Sequence, residues 1–218
     1  MLAQDGEGTE AMHLEFLVEE PSAEAALLLL VPRIVGPSVT FNVHPYQGKP
    51  DLLSKLPGVL RGYRAWLPPD HAIVVLLDND RDDCRALKAR LERMATDAGF
   101  ATKSTAHAAS GFQVVNRLAV EELESWFFGD VAALRAVYPR ISKSLEHQRR
   151  YRHPDTIAGG AWEALERVLQ QADYHRTGAP KIQVARDVSS HMRPERNRSK
   201  SFQVFRQGLL DLIRQEQQ

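Results

Sequence analysis

The chain has 218 residues, 43% of them hydrophobic and 26% charged, and a formal net charge of zero. That composition is ordinary for a soluble globular protein of one large domain or two small ones, without internal repeats or low-complexity tracts. The only cysteine, Cys84, excludes an intrachain disulfide and fits the cytoplasm, and no apolar run approaches the roughly 20 residues of a membrane span.

The zero net charge hides an asymmetry. Residues 139–218 carry 15 Lys and Arg against 9 Asp and Glu, and residues 1–138 carry 13 against 19. An acidic half joined to a basic half suits a metal site beside a surface for polyanions, and it equally suits ordinary solvated faces.

Residues 1–12 are acidic and polar, lack an apolar signal core, and read as a disordered leader. Residues 13–18, with Leu14, Phe16, Leu17 and Val18, predict a first strand that runs into Glu19-Glu20-Pro21-Ser22. Ser22 is a good N-cap for a helix over 23–34, which Pro32 should kink or end. A carboxylate at Glu19 or Glu20 also suits a helix N-terminus on electrostatic grounds alone. A second strand follows over 38–43, a turn at 48–50, and a helix over 51–66 that Pro57-Gly58 is expected to split.

Residues 72–77 are six apolar residues in a row, ending in Asp78-Asn79-Asp80. Such a run predicts a strand buried on both faces, as in a parallel sheet. If strand geometry persists to its end, Asp78 and Asp80 project to the same side. Open α/β sheets place ligands at the carboxyl ends of their strands. Two carboxylates there, with no base between them, repel unless a cation or proton intervenes, and Mg²⁺ takes oxygen ligands of this kind. The alternative is a turn in which Asp80 caps a helix starting near Arg81.

A long amphipathic helix over 82–98, with Leu87, Leu91 and Met94 on one stripe, and a fourth strand over 99–105 complete a βαβαβαβ pattern. That pattern predicts a mainly parallel sheet with helices on both faces. After a loop over 107–111, a second apolar stretch over 112–120, broken by Asn116 and Arg117, passes into Glu121-Glu122-Leu123-Glu124-Ser125-Trp126-Phe127. A helix here would put Glu121 and Glu124 on an acidic outer face, with Trp126 and Phe127 inward. Asp130 caps a short helix over 130–137, and residues 138–155 form a basic loop. Helices are predicted over 162–171 and 181–192, the latter with Ile182, Ala185 and Val188 inward. A second basic loop, with Arg193, Arg196, Arg198 and Lys200, precedes a last helix capped by Ser201 and anchored by Phe202 and Phe205.

Three acidic segments therefore stand in one α/β chain: Glu19, Asp78 with Asp80, and Glu122 with Glu124. In this order they resemble the TOPRIM domain, the catalytic module of topoisomerases, primases and OLD-type nucleases. The likeness is closer to a bacterial family of TOPRIM-like proteins of unknown function, often encoded beside an ABC- or AAA-type ATPase. The motifs that carry it are Val18-Glu19-Glu20-Pro21-Ser22-Ala23-Glu24, Asp78 to Cys84, Glu122-Leu123-Glu124-Ser125-Trp126, and Ser199-Lys200-Ser201-Phe202. The family's glycine after its first Glu is Glu20 here, which adds bulk and charge where glycine would let the backbone approach a phosphate.

The resemblance implies a TOPRIM-like, Rossmann-like α/β domain over 13–138 with a basic helical extension over 139–218 packed on it. It implies a Mg²⁺- or Mn²⁺-dependent nuclease, the effector of an ATPase-coupled anti-phage defence system. Glu19, Asp78 and Asp80 would hold the metal, with Glu122 as a further ligand. Glu124 joins Glu19, Asp78 and Asp80 in the catalytic set. Arg193, Arg196, Arg198 and Lys200 would grip phosphates of DNA or RNA, which positions a strand without reading its sequence. The implied partners are nucleic acid, an ABC/AAA-type ATPase and a second copy of the chain, with no membrane. Strand passage by a topoisomerase would need a further domain. Two other readings stand beside this one: a non-catalytic TOPRIM-like scaffold for an ATPase, and a phosphoacceptor receiver-like domain.

Overall fold

The structure, a computed structural model, describes residues 12–106 and 111–216. The expected leader, but for Met12, and most of the loop over 107–111 lie outside the described residues. The core of the molecule is a four-stranded, wholly parallel sheet in the order β2-β1-β3-β4. Its strands are β1 (His13–Val18), β2 (Thr40–Pro45), β3 (His71–Asp78) and β4 (Val114–Ala119). β1 and β3 are central and almost wholly buried, whereas β2 is an edge strand with alternating exposure.

Right-handed crossovers decide where the helices lie. The chain leaves β1 toward one edge through α1 (Pro21–Val35). It returns across the sheet through α2 (Lys49–Trp66) and continues outward through α3 (Cys84–Asp97). Reversing direction places α1 on one face and α2 with α3 on the other. Leu52, Leu56 and Leu60 of α2 and Leu87 and Leu91 of α3 pack on Leu17, Ile73, Val75 and Leu77. The opposite face buries Leu14, Phe16, Val74 and Leu76 against α1 and the C-terminal helices.

Those helices are α4 (Ser125–Gly129), α5 (Val131–Val137), α6 (Ala161–Gln171), α7 (Lys181–His191) and α8 (Lys200–Glu216). α7 packs on α1, where Arg33 donates to the carbonyls of Ser189 and Met192 at 2.9 and 3.0 Å. Trp126, Phe202 and Phe205 lock α4 to α8 with ring centroids 5.0 to 6.4 Å apart, and the Trp126 indole donates to Ser201 Oγ at 3.0 Å. A Cβ at Gly129 would lie 2.9 Å from Ser199 N, so the last residue of α4 must be small for the loop before α8 to cross it.

Several local expectations change. Pro57-Gly58 does not split α2, because the turns on both sides of it are anchored by buried Leu52, Leu53, Leu56 and Leu60. α1 begins at Pro21, whose fixed φ suits a first helical position, so Glu20 rather than Ser22 stands at the cap. Asp83, not Asp80, caps α3, accepting from the backbone N–H of Arg85 and Ala86. Ser199 Oγ, rather than Ser201, accepts from the N–H of Phe202 at the start of α8. Ile182 points outward, while Ala185 and Val188 are buried as expected, together with Val184 and Ser189.

No strand forms over 99–105. Gly99 turns the chain with φ 87°, Thr102 makes a single bridge to Val114, and the Thr102 and Thr105 hydroxyls close a turn at 3.1 Å. The second apolar stretch supplies the fourth strand as β4.

Candidate functional site

β1 and β3 are neighbours, but their outgoing helices lie on opposite faces, so a crevice opens beyond their carboxyl ends, where open α/β sheets bind ligands. Glu19 and Glu20 follow β1, Asp78 ends β3, and Glu121 to Glu124 follow β4. The backbone binds these ends together: Asn79 N–H donates to Ala119 O at 2.8 Å and Asp80 N–H to Glu121 O at 2.7 Å. Asp80 and Glu121 both adopt positive φ, 49° and 64°. Left-handed backbone in non-glycine residues is strained, and it clusters at functional sites.

The strand ends at Asp78, so the pleat no longer relates Asp78 to Asp80. Asp78 turns inward and is buried, accepting from Leu123 N–H at 3.0 Å. Asp80 turns outward to Lys49, its carboxylate 2.6 Å from the ammonium. The same ammonium reaches Asp82 at 2.8 Å. Glu19 lies between the two, with Oε2 accepting from Asp78 N–H at 3.2 Å.

A deeper group gathers around Lys181, the first residue of α7. Its ammonium is 2.6 Å from Glu20 and 3.6 Å from Glu124, the latter an ion pair beyond hydrogen-bond reach. Glu124 is fully buried, and neither of its carboxylate oxygens has a hydrogen-bond partner among the described residues. Glu122 instead caps α6, its Oε2 accepting from Trp162 N–H at 2.7 Å. The acidic outer helical face expected for Glu121 and Glu124 does not form: Glu121 is not helical and Glu124 is interior.

Electrostatics follow from this crowding. Burial, then Glu124 and Glu19, push Asp78 well above the usual carboxylate range. Burial is also the main cause that raises Glu124, to about 7, with Lys181 opposing and Glu20 adding to the rise. Glu19 is raised by burial, with the Asp78 N–H opposing and Asp80 adding. Burial alone would lower Lys181, but Glu124, Glu20 and Asp78 outweigh it and hold the ammonium charged.

A cavity of about 490 Å³ opens beside Asp80, lined by Lys49, Asp82, Glu121, Glu122 and Gly160 among others. Of the expected phosphate-gripping residues, Arg198 and Lys200 line a different and larger cavity, and Arg193 and Arg196 do not. Their loop is pinned to α4, where Asn197 Nδ2 donates to Trp126 O at 2.8 Å and Arg198 N–H to Gly129 O at 2.9 Å.

The carboxylates of Glu19, Asp78 and Glu124 are oxygen ligands of the kind a hard divalent cation takes, with two buried oxygens unpartnered on Glu124, and the Lys181 ammonium stands 3.6 Å from one of them. Among the described residues no three Asp, Glu, His or Cys side chains already gather into a cage for an ion. The two lysines were not foreseen. Lys49 follows Gly48 at a strand-to-helix junction, a position that could have flagged it. Lys181 lies far along the chain from every acid it meets and carries no local signal.

These features define a parallel α/β protein with a carboxylate–lysine site at its switch point and a helical C-terminal part. The chain belongs to the family described as Domain of unknown function (DUF4276), whose model matches residues 18–210. No curated protein matches it. Among solved structures it is similar to the C-terminal region of the OLD protein of Xanthomonas campestris pv. campestris, at 15% identity and a TM-score of 0.45, covering 94% of this chain and 97% of that one. Among the described residues no helix is long and apolar enough to cross a membrane.

Proposed function

We propose that the chain is a TOPRIM-like, metal-dependent nuclease that hydrolyses phosphodiester bonds of DNA or RNA. The observation that carries this reading is Glu124, buried with both oxygens unpartnered, facing an ammonium beyond bonding distance and acting on a second buried acid, Asp78. A structural carboxylate in such a place would be hydrogen-bonded, because an unpaired buried charge is costly.

Asp78, Glu19 and Glu124 would hold Mg²⁺ or Mn²⁺, with Asp80 and Glu122 at the outer cavity. When bound, such an ion stabilises charge developing on phosphorus and lowers the pKa of a water. Asp78 is oriented by Leu123 N–H and Glu19 by Asp78 N–H, so two ligands are fixed by backbone rather than by mobile side chains. Glu124, raised to about 7, can hold or release a proton near neutral pH. Lys49 and Lys181 offer cations for phosphate oxygens among carboxylates that repel them.

A second reading is a scaffold for an ATPase, in which the lysines neutralise the acids permanently. The existing ion pairs of Lys49 with Asp80 and Asp82 favour it. The phage-defence role, the ATPase partner, a cytoplasmic location, self-association and the division at residue 138 belong to the same proposal. Thermal unfolding with and without millimolar Mn²⁺ or Mg²⁺ separates the readings, since a ligand that binds only the native state raises its stability. The nuclease reading predicts a rise in melting temperature together with cleavage of single- or double-stranded substrates. A wild type indifferent to both ions leaves the scaffold.

A further inference from the structure

We propose that the cavity along the free edge of β4 binds a nucleotide unit, its base against Asn116 and its phosphate against Arg117. This site is separate from the acid site and does not depend on its assignment. β4 is the outer strand of the sheet, and among the described residues its edge opposite β3 is met by backbone pairing only at its start, where residues 101–103 bond to Val114. A cavity of about 710 Å³ runs along it, between the start of α3, the loop before α8 and the turn at residues 152–156. That volume lies within the range of small-molecule sites.

The lining combines two chemistries. Leu118, Val120, Pro154 and Val204 give apolar walls, and Arg85, Lys88, Arg117, Arg152, Arg198 and Lys200 give cations. The only carboxylate in the lining, Asp155, is already engaged. Its Oδ1 accepts from Ser199 Oγ and Ser201 Oγ, each at 2.7 Å, and its Oδ2 from Lys200 N–H at 2.6 Å. Lys88 is paired with Glu92 and Arg198 with Glu146 at 3.5 Å, so among the described residues Arg85, Arg117, Arg152 and Lys200 are the lining cations without a carboxylate partner.

Two consecutive residues point to a specific occupant. Arg117 is buried, 7% exposed, and among the described residues forms no ion pair with a carboxylate. Its Nε donates to Val204 O at 3.1 Å and its Nη1 to Asn116 O at 2.8 Å. Asp211, which acts on it through space, is itself bonded to Lys103, Arg214 and Gln207. Burying a guanidinium without an anion is costly, and a phosphate in the cavity would supply the missing counter-charge.

Asn116 is 1% exposed, and neither its Oδ1 nor its Nδ2 has a partner among the described residues. An amide offering one acceptor and one donor side by side matches the edge of a nucleobase. Successive strand residues face opposite sides of a sheet. The cavity therefore wraps the edge of β4, with the amide on the α3 side and the guanidinium on the α8 side. A base on one side and a phosphate on the other would satisfy both.

The test is calorimetric titration of the whole chain, in EDTA, with AMP, ATP, adenosine, tripolyphosphate and tetra-deoxyadenylate. AMP or ATP binding at one site, at least about tenfold more tightly than adenosine or tripolyphosphate, supports the assignment and identifies a free nucleotide as the occupant. Binding of the tetranucleotide alone supports it with a single strand as the source. Tripolyphosphate binding as tightly as ATP, or no binding by any probe at millimolar concentration, overturns it. Asn116→Leu should keep or raise the melting temperature while weakening binding about tenfold, as loss of a paired amide implies. Unchanged affinity in that variant also overturns the proposal. Should Arg117→Met fail to fold, the exposed pair Arg152→Ala and Lys200→Ala reads the phosphate side, and an unchanged affinity there counts against it. Asp78→Asn must leave nucleotide binding intact, which separates this site from the acid site.

Discussion

Lys49 and Lys181 stand on two sides of one acid site and do different things. Lys49 meets Asp80 and Asp82, whose side chains are 44% and 54% exposed. Lys181 meets Glu124, whose side chain is fully buried, and Glu20. In both lysines, carboxylate contacts outweigh burial and raise the pKa. On the outer side, however, water screens the pair and can replace either partner. On the inner side the ammonium is the main answer to a charge that has no hydrogen bond. The same residue type thus holds solvated carboxylates in one place and a fully buried one in the other, although the Lys49 side chain is itself only 12% exposed.

The sharpest way to break this contrast is to remove an acid from the inner side. Asp78→Asn should abolish the thermal shift in Mn²⁺ and lower nuclease activity by about a hundredfold or more, since disturbing even outer-shell metal partners costs ten- to a hundredfold. Retained activity in this variant would place the chemistry elsewhere. Because burial, then Glu124 and Glu19, hold Asp78 well above the usual range, the apo variant should unfold no earlier than the wild type in a differential scan.

The lysines come next. Lys181→Met leaves Glu124 and Glu20 facing each other without a cation. Removing one partner of a fully buried pair costs about 3–5 kcal/mol; Lys181 is 29% exposed, so about 2 kcal/mol is expected at pH 8. Lys49→Met should cost about 1 kcal/mol, because its partners Asp80 and Asp82 are solvated although the lysine side chain is 12% exposed. Urea unfolding of the two variants side by side measures the difference, and equal losses would erase the inner–outer distinction.

Glu124 sharpens it by pH. Its carboxyl is raised from an ordinary 4.5 to about 7. The native state therefore holds a proton that the unfolded state has released, and stability falls as pH rises through that window and is flat above it. Glu124→Gln should flatten the profile between about pH 4.5 and 7 by about 1 to 2 kcal/mol and make the apo protein more stable at pH 8. An unchanged profile would mean that Glu124 titrates normally. Metal affinity should rise with pH over the same window, because the ligands must lose protons to bind.

Much of this was legible in the chain. Continuous apolar runs located β1 and β3, and strand–helix alternation gave the parallel sheet. Acids directly after strands located Glu19 and Asp78, because a parallel sheet brings its carboxyl ends together. The fourth strand was misplaced, since Gly99 and the Thr102–Thr105 turn divert a segment whose local pattern still suits a strand. The outward turn of Asp80 was hidden because a positive φ leaves no periodic trace. Lys181 was hidden more deeply, since its approach depends on α7 packing against α1, a long-range contact that no short motif encodes.

Glu20 is the smallest test and bears on the inner side alone. Where the resembled family has a glycine, Glu20 has φ −150° and ψ 165°, an extended conformation open to any residue. Its carboxylate lies 2.6 Å from Lys181 and accepts from Ser22 Oγ at 2.6 Å. Glu20→Gly therefore relieves no strain, removes one tether of Lys181 and adds freedom to the unfolded chain. A loss of about 0.5 to 1 kcal/mol is expected, roughly 1–4 °C in melting temperature for a domain of this size. The substitution also takes a negative charge away from Asp78 and Glu124, both of which it raises. Those acids should then ionise more readily, so the Mn²⁺-induced thermal shift should persist and begin at lower pH than in the wild type. If the shift disappears in Glu20→Gly while the fold survives, Glu20 is itself a metal ligand, and the inner cluster binds its ion through the carboxylate that now holds Lys181.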